Sequence, residues 1–359
     1  MKRTLFLILL ALILEPRVTK ACTSFQVKAK DNSVIIARTM EFPVDTKSVI
    51  WVIPRGENYT SISDKGIKGL SWKNKYAFIA VDGFNLSTSY VEGMNEKGLS
   101  VGALMYNGAK YQDQTTDKFV TYADLIGWLL GNFSTVKEAK SELPKIKVID
   151  KNIKEVSGSL GLHFAIHDAS GQAIVVEFID GEQKIYDNKV GVMTNRPDFN
   201  WQLTNLRNYI NLASSDKEPR KVNGLTIEPT GVGSGMLGIP GDWTPPSRFV
   251  RIAYSVDAAL TPKNSLDAVN LAEHLMNIVD IPKGVIKEKV KYVFTTYGNT
   301  QWSVIKDLSN NVMYFRTYDN MTLRKIDLNS FNIEHGALKR SVAISKDIPS
   351  TIDVSHTLR

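Results

Sequence analysis

Short apolar runs along this chain alternate with polar, glycine-containing breaks, and their periods separate strands (2.0) from helices (3.6). Apolar stretches of strand length fall at 23–27, 34–38, 76–81 and 99–104. Helical spacing follows at 122–130 and at 135–142, where Thr135 is a candidate N-cap with Glu138 three residues on. Strands are expected at 161–167, 173–178 and 184–186, the first two joined by the turn Asp168-Ala169-Ser170-Gly171. A helix is expected at 201–211, a glycine-rich loop at 231–242, helices at 249–259 and 266–278, and strands at 290–296, 302–307 and 311–316. This order predicts an α+β domain whose sheets are covered by helices. No fixed-period repeat and no Pro/Ser/Gly-rich linker divides it, so 22–335 reads as one domain and 336–359 as a polar, poorly ordered tail.

Residues 1–21 break the pattern. Lys2 and Arg3 precede a short apolar run from Leu5 to Leu14, and small side chains stand at Thr19 and Ala21, three residues and one residue before Cys22. That is the layout of a secretory signal peptide, and the run is shorter than the roughly 20 apolar residues of a membrane span. The chain is therefore expected to be exported, periplasmic or secreted, with no stable membrane insertion after cleavage. Cleavage before Cys22 would leave a thiol and a free α-amine on one residue. An α-amine titrates at about 7.7–8.0 and so is a usable base near neutrality, and a thiolate is a strong nucleophile. Lipoproteins are also cut before a cysteine, but Lys20 fits that signal poorly, and acylation would remove the base.

Cys22 is the single cysteine, so no intramolecular disulfide forms, and a chain of this size buries enough core without one. The formal net charge is +7; the leader holds Lys2, Arg3, Arg17 and Lys20 against Glu15, which leaves the remainder near +4. No Lys/Arg run forms a nucleic-acid footprint. His163 and His167, four apart, share one face of a strand, but without a carboxylate cluster they read as structural, and no metal or cofactor is expected. Trp201, Tyr106 and Tyr111 read as core aromatics or as the lining of an apolar cleft.

An N-terminal nucleophile needs its amine held in place, donors for an oxyanion, and a cleft. One short hairpin from Cys22 stand Arg38 and Glu41: a cation to favour the thiolate and a carboxylate to hold the protonated amine. On spacing alone an Arg and a Glu on a strand end are more often a surface pair.

Seven strings, in order, carry a resemblance: Cys22-Thr23-Ser24-Phe25; Arg38-Thr39-Met40-Glu41-Phe42; Met94-Asn95-Glu96-Lys97-Gly98-Leu99; the run from His163 to Gly171; Met193-Thr194-Asn195-Arg196-Pro197; Leu237 to Asp242 with Ser247 to Arg251; and Tyr314-Phe315-Arg316-Thr317-Tyr318. The chain resembles the choloylglycine hydrolases and penicillin V acylases, members of the N-terminal-nucleophile hydrolases. The resemblance implies an αββα sandwich of two antiparallel sheets covered by helices, and hydrolysis of a non-peptide amide C–N bond. It implies Cys22 as nucleophile with its own amine as base, and Arg38 beside the thiol. Glu41 stands where the family often has Asp, one methylene longer. Asn195 would be the side-chain oxyanion donor, the Met105 backbone N–H the second donor (or Tyr106, one residue on), and Arg248 an electrostatic partner. The partner implied is a small-molecule amide with an apolar acyl group, and the assembly implied is a homotetramer. A conjugated bile salt is the expected substrate, with penicillin V and acyl-homoserine lactones as competitors. A non-catalytic binding protein or lipoprotein on the same scaffold is the alternative of another class. Ceramide-type amidases, which cut internally before a cysteine, do not fit a chain lacking an internal one.

Overall fold

The structure, a computed structural model, describes residues 21–156, 158–290 and 294–344. The leader up to Lys20 and the last part of the expected tail, from Ser345, lie outside the described residues.

Two antiparallel sheets lie face to face. The first runs Val192–Met193, Thr23–Lys28, Val34–Phe42, Phe294–Asp307, Val312–Thr317, Arg324–Asp327, with Ile286–Val290 also paired to Phe294–Asp307. The second runs Glu182–Asp187, Ala173–Ile179, Leu162–His167, Ser100–Met105, Tyr90–Asn95, Phe78–Asp82, Val49–Ile53, Arg340–Ala343. Helices Pro245–Ala258 and Ser265–Asn277 pack on the outer face of the first sheet, and Leu125–Asn132 and Val136–Glu142 on that of the second. This is the expected αββα sandwich. Its central strands are covered on both faces, which is why Val34–Phe42, Ser100–Met105 and Leu162–His167 are buried along their whole length. One apolar cluster joins Phe25, Ile36 and Val304 to Phe249 and Met276, and a second joins Phe78, Val101 and Phe164 to Leu129.

Several boundaries differ from the periodicity. The 201–211 helix is Phe199–Asn205 followed by a 3-10 turn, because Asp198 caps it by accepting from the Trp201 N–H at 2.9 Å. The 249–259 helix starts at Pro245, where proline fits the first turn. Thr135 does cap Val136–Glu142, but the Glu138 carboxylate turns back to the N–H of Ser134 (2.7 Å), one residue before the cap. The strand expected at 290–296 is the end of one strand and the start of another, and the second continues to Asp307. Tyr90–Asn95 was not legible as a strand, since Glu92, Gly93 and Asn95 interrupt its apolar pattern. Gly93 and Asn95 are nevertheless buried for a reason: a Cβ on Gly93 would stand 2.6 Å from Leu130 Cδ1, and Asn95 Nδ2 donates to Leu130 O (2.8 Å) and Phe133 O (2.7 Å). Within the expected tail, Arg340–Ala343 pairs with Val49–Ile53 at the sheet edge and is exposed.

Candidate active site

Sheet register sets the centre of the site. Ser24 pairs with Met193 and Thr23 with Thr39. Continuing both antiparallel registers places Cys22 between Asn195 on one side and Met40 on the other. The Cys22 nitrogen donates to Asn195 Oδ1 at 2.6 Å. Its sulfur lies 3.9 Å from Met40 Sδ and 3.8 Å from the Glu41 carbonyl oxygen. Cys22 is 1% exposed.

Side chains alternate along Val34–Phe42, so Arg38 and Glu41 leave the strand on opposite faces. Arg38 points between the sheets. Its Nη2 donates to Ala103 O at 2.8 Å and lies 3.8 Å from Cys22 Sγ. Its Nε faces Glu92 Oε2 at 3.4 Å, and the guanidinium packs over Trp302 at 4.9 Å. Glu92 also pairs with Lys306, which donates to Ser100 Oγ at 2.5 Å. This interior group of two cations and one carboxylate was missed from sequence, because Glu92 and Lys306 are 214 residues apart.

Glu41 points to the helix side. Its Oε1 accepts from Thr300 Oγ1 at 2.6 Å, and its Oε2 has no hydrogen-bond partner among the described residues. Burial pushes its carboxyl up to about 7, against the opposing pull of Arg248. The carboxylate expected to hold the Cys22 nitrogen thus bonds Thr300, and that nitrogen is held by Asn195.

Arg248 enters from the first turn of Pro245–Ala258. Its Nη1 donates to Cys22 O and to Thr23 Oγ1, both at 2.6 Å, its Nη2 to Asn195 Oδ1 at 2.8 Å, and its Nε to Trp243 O at 2.9 Å. Burial draws the guanidinium down to about 10, still cationic at neutral pH. Two donors on Oδ1 fix which way the Asn195 carboxamide faces, and Nδ2 donates one hydrogen to Met105 O at 2.8 Å. An amide carries two such hydrogens, so the second is free for a ligand oxygen. Met105 ends the strand Ser100–Met105. The next amide, Tyr106 N–H, donates to Gly161 O at 2.8 Å, so by antiparallel alternation the Met105 N–H faces the other way, on the side of its own carbonyl and Asn195.

The structure therefore brings Cys22, Arg38, Glu41, Asn195, Arg248 and the Met105 backbone to one place. Of the remaining candidates, Tyr111 and Trp201 go elsewhere. Tyr111 is core, stacked on Tyr122 at 4.8 Å, and Trp201 is exposed. Tyr106 stacks on His163 at 5.1 Å. His163 and His167 engage different partners: His163 bonds Glu177 and Thr194 O, and His167 bonds Gln26. A recess of about 180 Å³ lined by Phe42, Thr46, Asn299 and Trp302 adjoins the site, whereas a groove of about 1090 Å³ lined by Lys28, Lys140 and Leu260 lies at the far end of Thr23–Lys28.

Chemically, the arrangement brings a sulfur, a nitrogen, a guanidinium and an oriented carboxamide together in the buried interior, a set suited to acyl transfer. A family model described as linear amide C–N hydrolases, choloylglycine hydrolase family, matches residues 22–343. The chain is 31% identical over 324 residues to a bile salt hydrolase/transferase of Clostridium perfringens, covering 89% of this chain and 95% of the relative. It is 32% identical over 320 residues to a bile salt hydrolase/transferase of Lactiplantibacillus plantarum, covering 87% and 94%. A crystal structure of a variant of the conjugated bile acid hydrolase from Clostridium perfringens matches with a TM-score of 0.81 at 29% identity, covering 93% of this chain and all of that one.

Proposed function

Since the chain belongs to the choloylglycine hydrolase family and is a hydrolase of linear amide C–N bonds, we propose that it is an exported amidase that cleaves a conjugated-bile-salt-like amide through a thioester on Cys22. The observation that carries this reading is the contact of 2.6 Å between the Cys22 nitrogen and Asn195 Oδ1, with Arg38 Nη2 3.8 Å from the sulfur.

In the uncleaved chain the Cys22 nitrogen is a peptide amide and cannot act as a base. Removal of residues 1–21 turns it into an amine at the same position. The amine takes the thiol proton, and the sulfur attacks the acyl carbon. The tetrahedral oxyanion accepts from the free N–H of Asn195 and from Met105 N–H. Collapse breaks the C–N bond as the ammonium passes its proton to the departing nitrogen. The amine then takes a proton from water, whose oxygen attacks the thioester; the acid leaves and the thiol is restored. Arg38 faces the developing sulfur charge, and Arg248 holds Cys22 O and Asn195 Oδ1 in register.

The test is mass spectrometry of the exported protein, followed by release assays on taurine- and glycine-conjugated bile salts, penicillin V and an acyl-homoserine lactone. An N-terminal, unacylated Cys22 with bile-salt turnover that Cys22→Ala abolishes is the expected result. A different first residue, an acylated nitrogen, or undiminished turnover by Cys22→Ala overturns the mechanism. Turnover confined to penicillin V or the lactone overturns the substrate.

A further inference from the structure

Asn195 sits in a short turn between Val192–Met193 and the helix Phe199–Asn205, and a turn alone does not hold a carboxamide to a fraction of an ångström. Two buried side chains from the opposite sheet reach this turn at both ends. His163, on Leu162–His167, places Nε2 at 2.7 Å from Thr194 O, the carbonyl of the peptide bond that leads into Asn195. Its Nδ1 lies 3.0 Å from Glu177 Oε1, on the adjacent strand Ala173–Ile179. The Glu177 carboxylate in turn accepts from Phe199 N–H, at 3.0 Å by Oε1 and 3.2 Å by Oε2. Asn195 therefore lies between two anchor points tied to one carboxylate.

Hydrogen-bond logic fixes the protons of this pair. A carbonyl oxygen only accepts, so Nε2 carries a hydrogen. A single further proton then lies between Nδ1 and Oε1, and the pair has no net charge whichever atom holds it. That neutrality lets His163 and Glu177 stand 1% and 0% exposed without an uncompensated charge. The Tyr106 ring, stacked on the imidazole at 5.1 Å, fixes its plane, and Tyr106 directly follows Met105. The same imidazole is thus packed against both strips of chain that carry the oxyanion donors.

We propose that the His163–Glu177 pair is the positioning element for Asn195: it ties Thr194 and Phe199 to the second sheet and so sets the orientation of the carboxamide across the two-sheet boundary. Neither residue touches the reacting atoms; both act through Asn195. The proposal takes Asn195 as an oxyanion donor and so rests on the amidase reading above. Displacing such a group by about 1 Å costs on the order of 10²-fold in rate.

The test is a double-mutant cycle with a structural arm. His163→Phe keeps the ring stacked on Tyr106 and removes the donor to Thr194 O. It is expected to lower kcat by about 10²-fold with KM within about twofold. His163→Gln, whose amide nitrogen reaches the position of Nε2, is expected to recover most of that loss. In an Asn195→Ala background, His163→Phe should cost nothing further, whereas a merely structural residue would cost the same in both backgrounds. Equal losses in the two backgrounds, or no recovery by His163→Gln, overturn the proposal. Glu177→Ala, which releases the imidazole and Phe199 N–H together, repeats the cycle if His163→Phe does not fold. The structural arm needs no substrate: a crystal structure of the variant should show Asn195 Oδ1 moved from Cys22 N. An unmoved carboxamide overturns the positioning role even where the chain hydrolyses none of the amides offered, and a moved one in an inactive chain faults the amidase reading alone.

Discussion

Asn195 touches both Cys22 and the far sheet: its Oδ1 accepts from Cys22 N at 2.6 Å, and its Nδ2 donates to Met105 O at 2.8 Å. One carboxamide thus links the first strand of one sheet to the end of a strand in the other. Arg248 adds a third tie at 2.8 Å. A ligand oxygen placed at the free hydrogen of Nδ2 meets a donor that is already oriented, so no reorganisation is needed when charge develops there.

Asn195→Ala is accordingly expected to lower kcat by about 10²–10³-fold, with a smaller change in KM, since in the proposed mechanism the lost hydrogen bond is made to the oxyanion and not to the ground-state carbonyl. Steady-state kinetics on whichever amide the wild type turns over will check this. A rise in KM at unchanged kcat would assign Asn195 to substrate binding.

Glu41 gives a stability signature in the uncleaved chain. Its folded-state value, about 7, lies above the 4.5 of an ordinary glutamate because burial disfavours the charge. The folded chain therefore holds this proton over a range where the unfolded chain has lost it. Stability falls as pH rises from about 4.5 to about 7, by about 3 kcal/mol from this group, and is flat above. Glu41→Gln should match the wild type at pH 4 and exceed it at pH 8. Denaturant unfolding at the two pH values reads the difference directly; equal gains at both would place its cause outside the carboxyl's titration.

His167 acts with the opposite sign. Burial, with Lys306 nearby, draws the imidazole down to about 3. The Gln26 oxygen faces Nδ1 at 3.1 Å, so Nδ1 carries the hydrogen and Nε2 is bare. The unfolded chain binds a proton at about 6.5 that the folded chain refuses. Stability from this group is complete above about 6.5 and declines by about 1.4 kcal/mol per pH unit below it, down to about 3. His167→Gln should flatten the acid limb of the stability profile between pH 6 and pH 4. An unchanged limb would assign the acid sensitivity to other groups.

The Arg38–Glu92–Lys306 group predicts an asymmetry. Glu92→Gln leaves two buried cations facing each other without a counter-charge and should cost about 3–5 kcal/mol. Lys306→Met leaves Arg38 and Glu92 as a neutral pair and should cost less. Chemical denaturation of both variants ranks them; the reverse order would mean that Lys306, not Arg38, is the necessary partner of Glu92.

The layers of the fold, and Cys22 as the candidate nucleophile, follow from the order of residues along the chain. Apolar runs such as 34–38 and 161–167 mark strands because a strand covered on both faces buries mostly apolar side chains. The ordered strings also named Arg38, Glu41, Asn195 and Arg248, and the resemblance they carry implied the Met105 backbone. What these residues do to one another was settled only in the folded molecule. Register, not spacing along the chain, sets Cys22 opposite Asn195, 173 residues away. The pleat sends Glu41 to Thr300, and Asn195 holds the nitrogen that Glu41 was expected to hold. Glu92, Lys306 and Glu177 look like surface or incidental polar positions in the sequence, and His163 reads there only as structural, since a charge is tolerated inside only when a partner meets it there. That partner is supplied by a different sheet or strand, which no local pattern encodes.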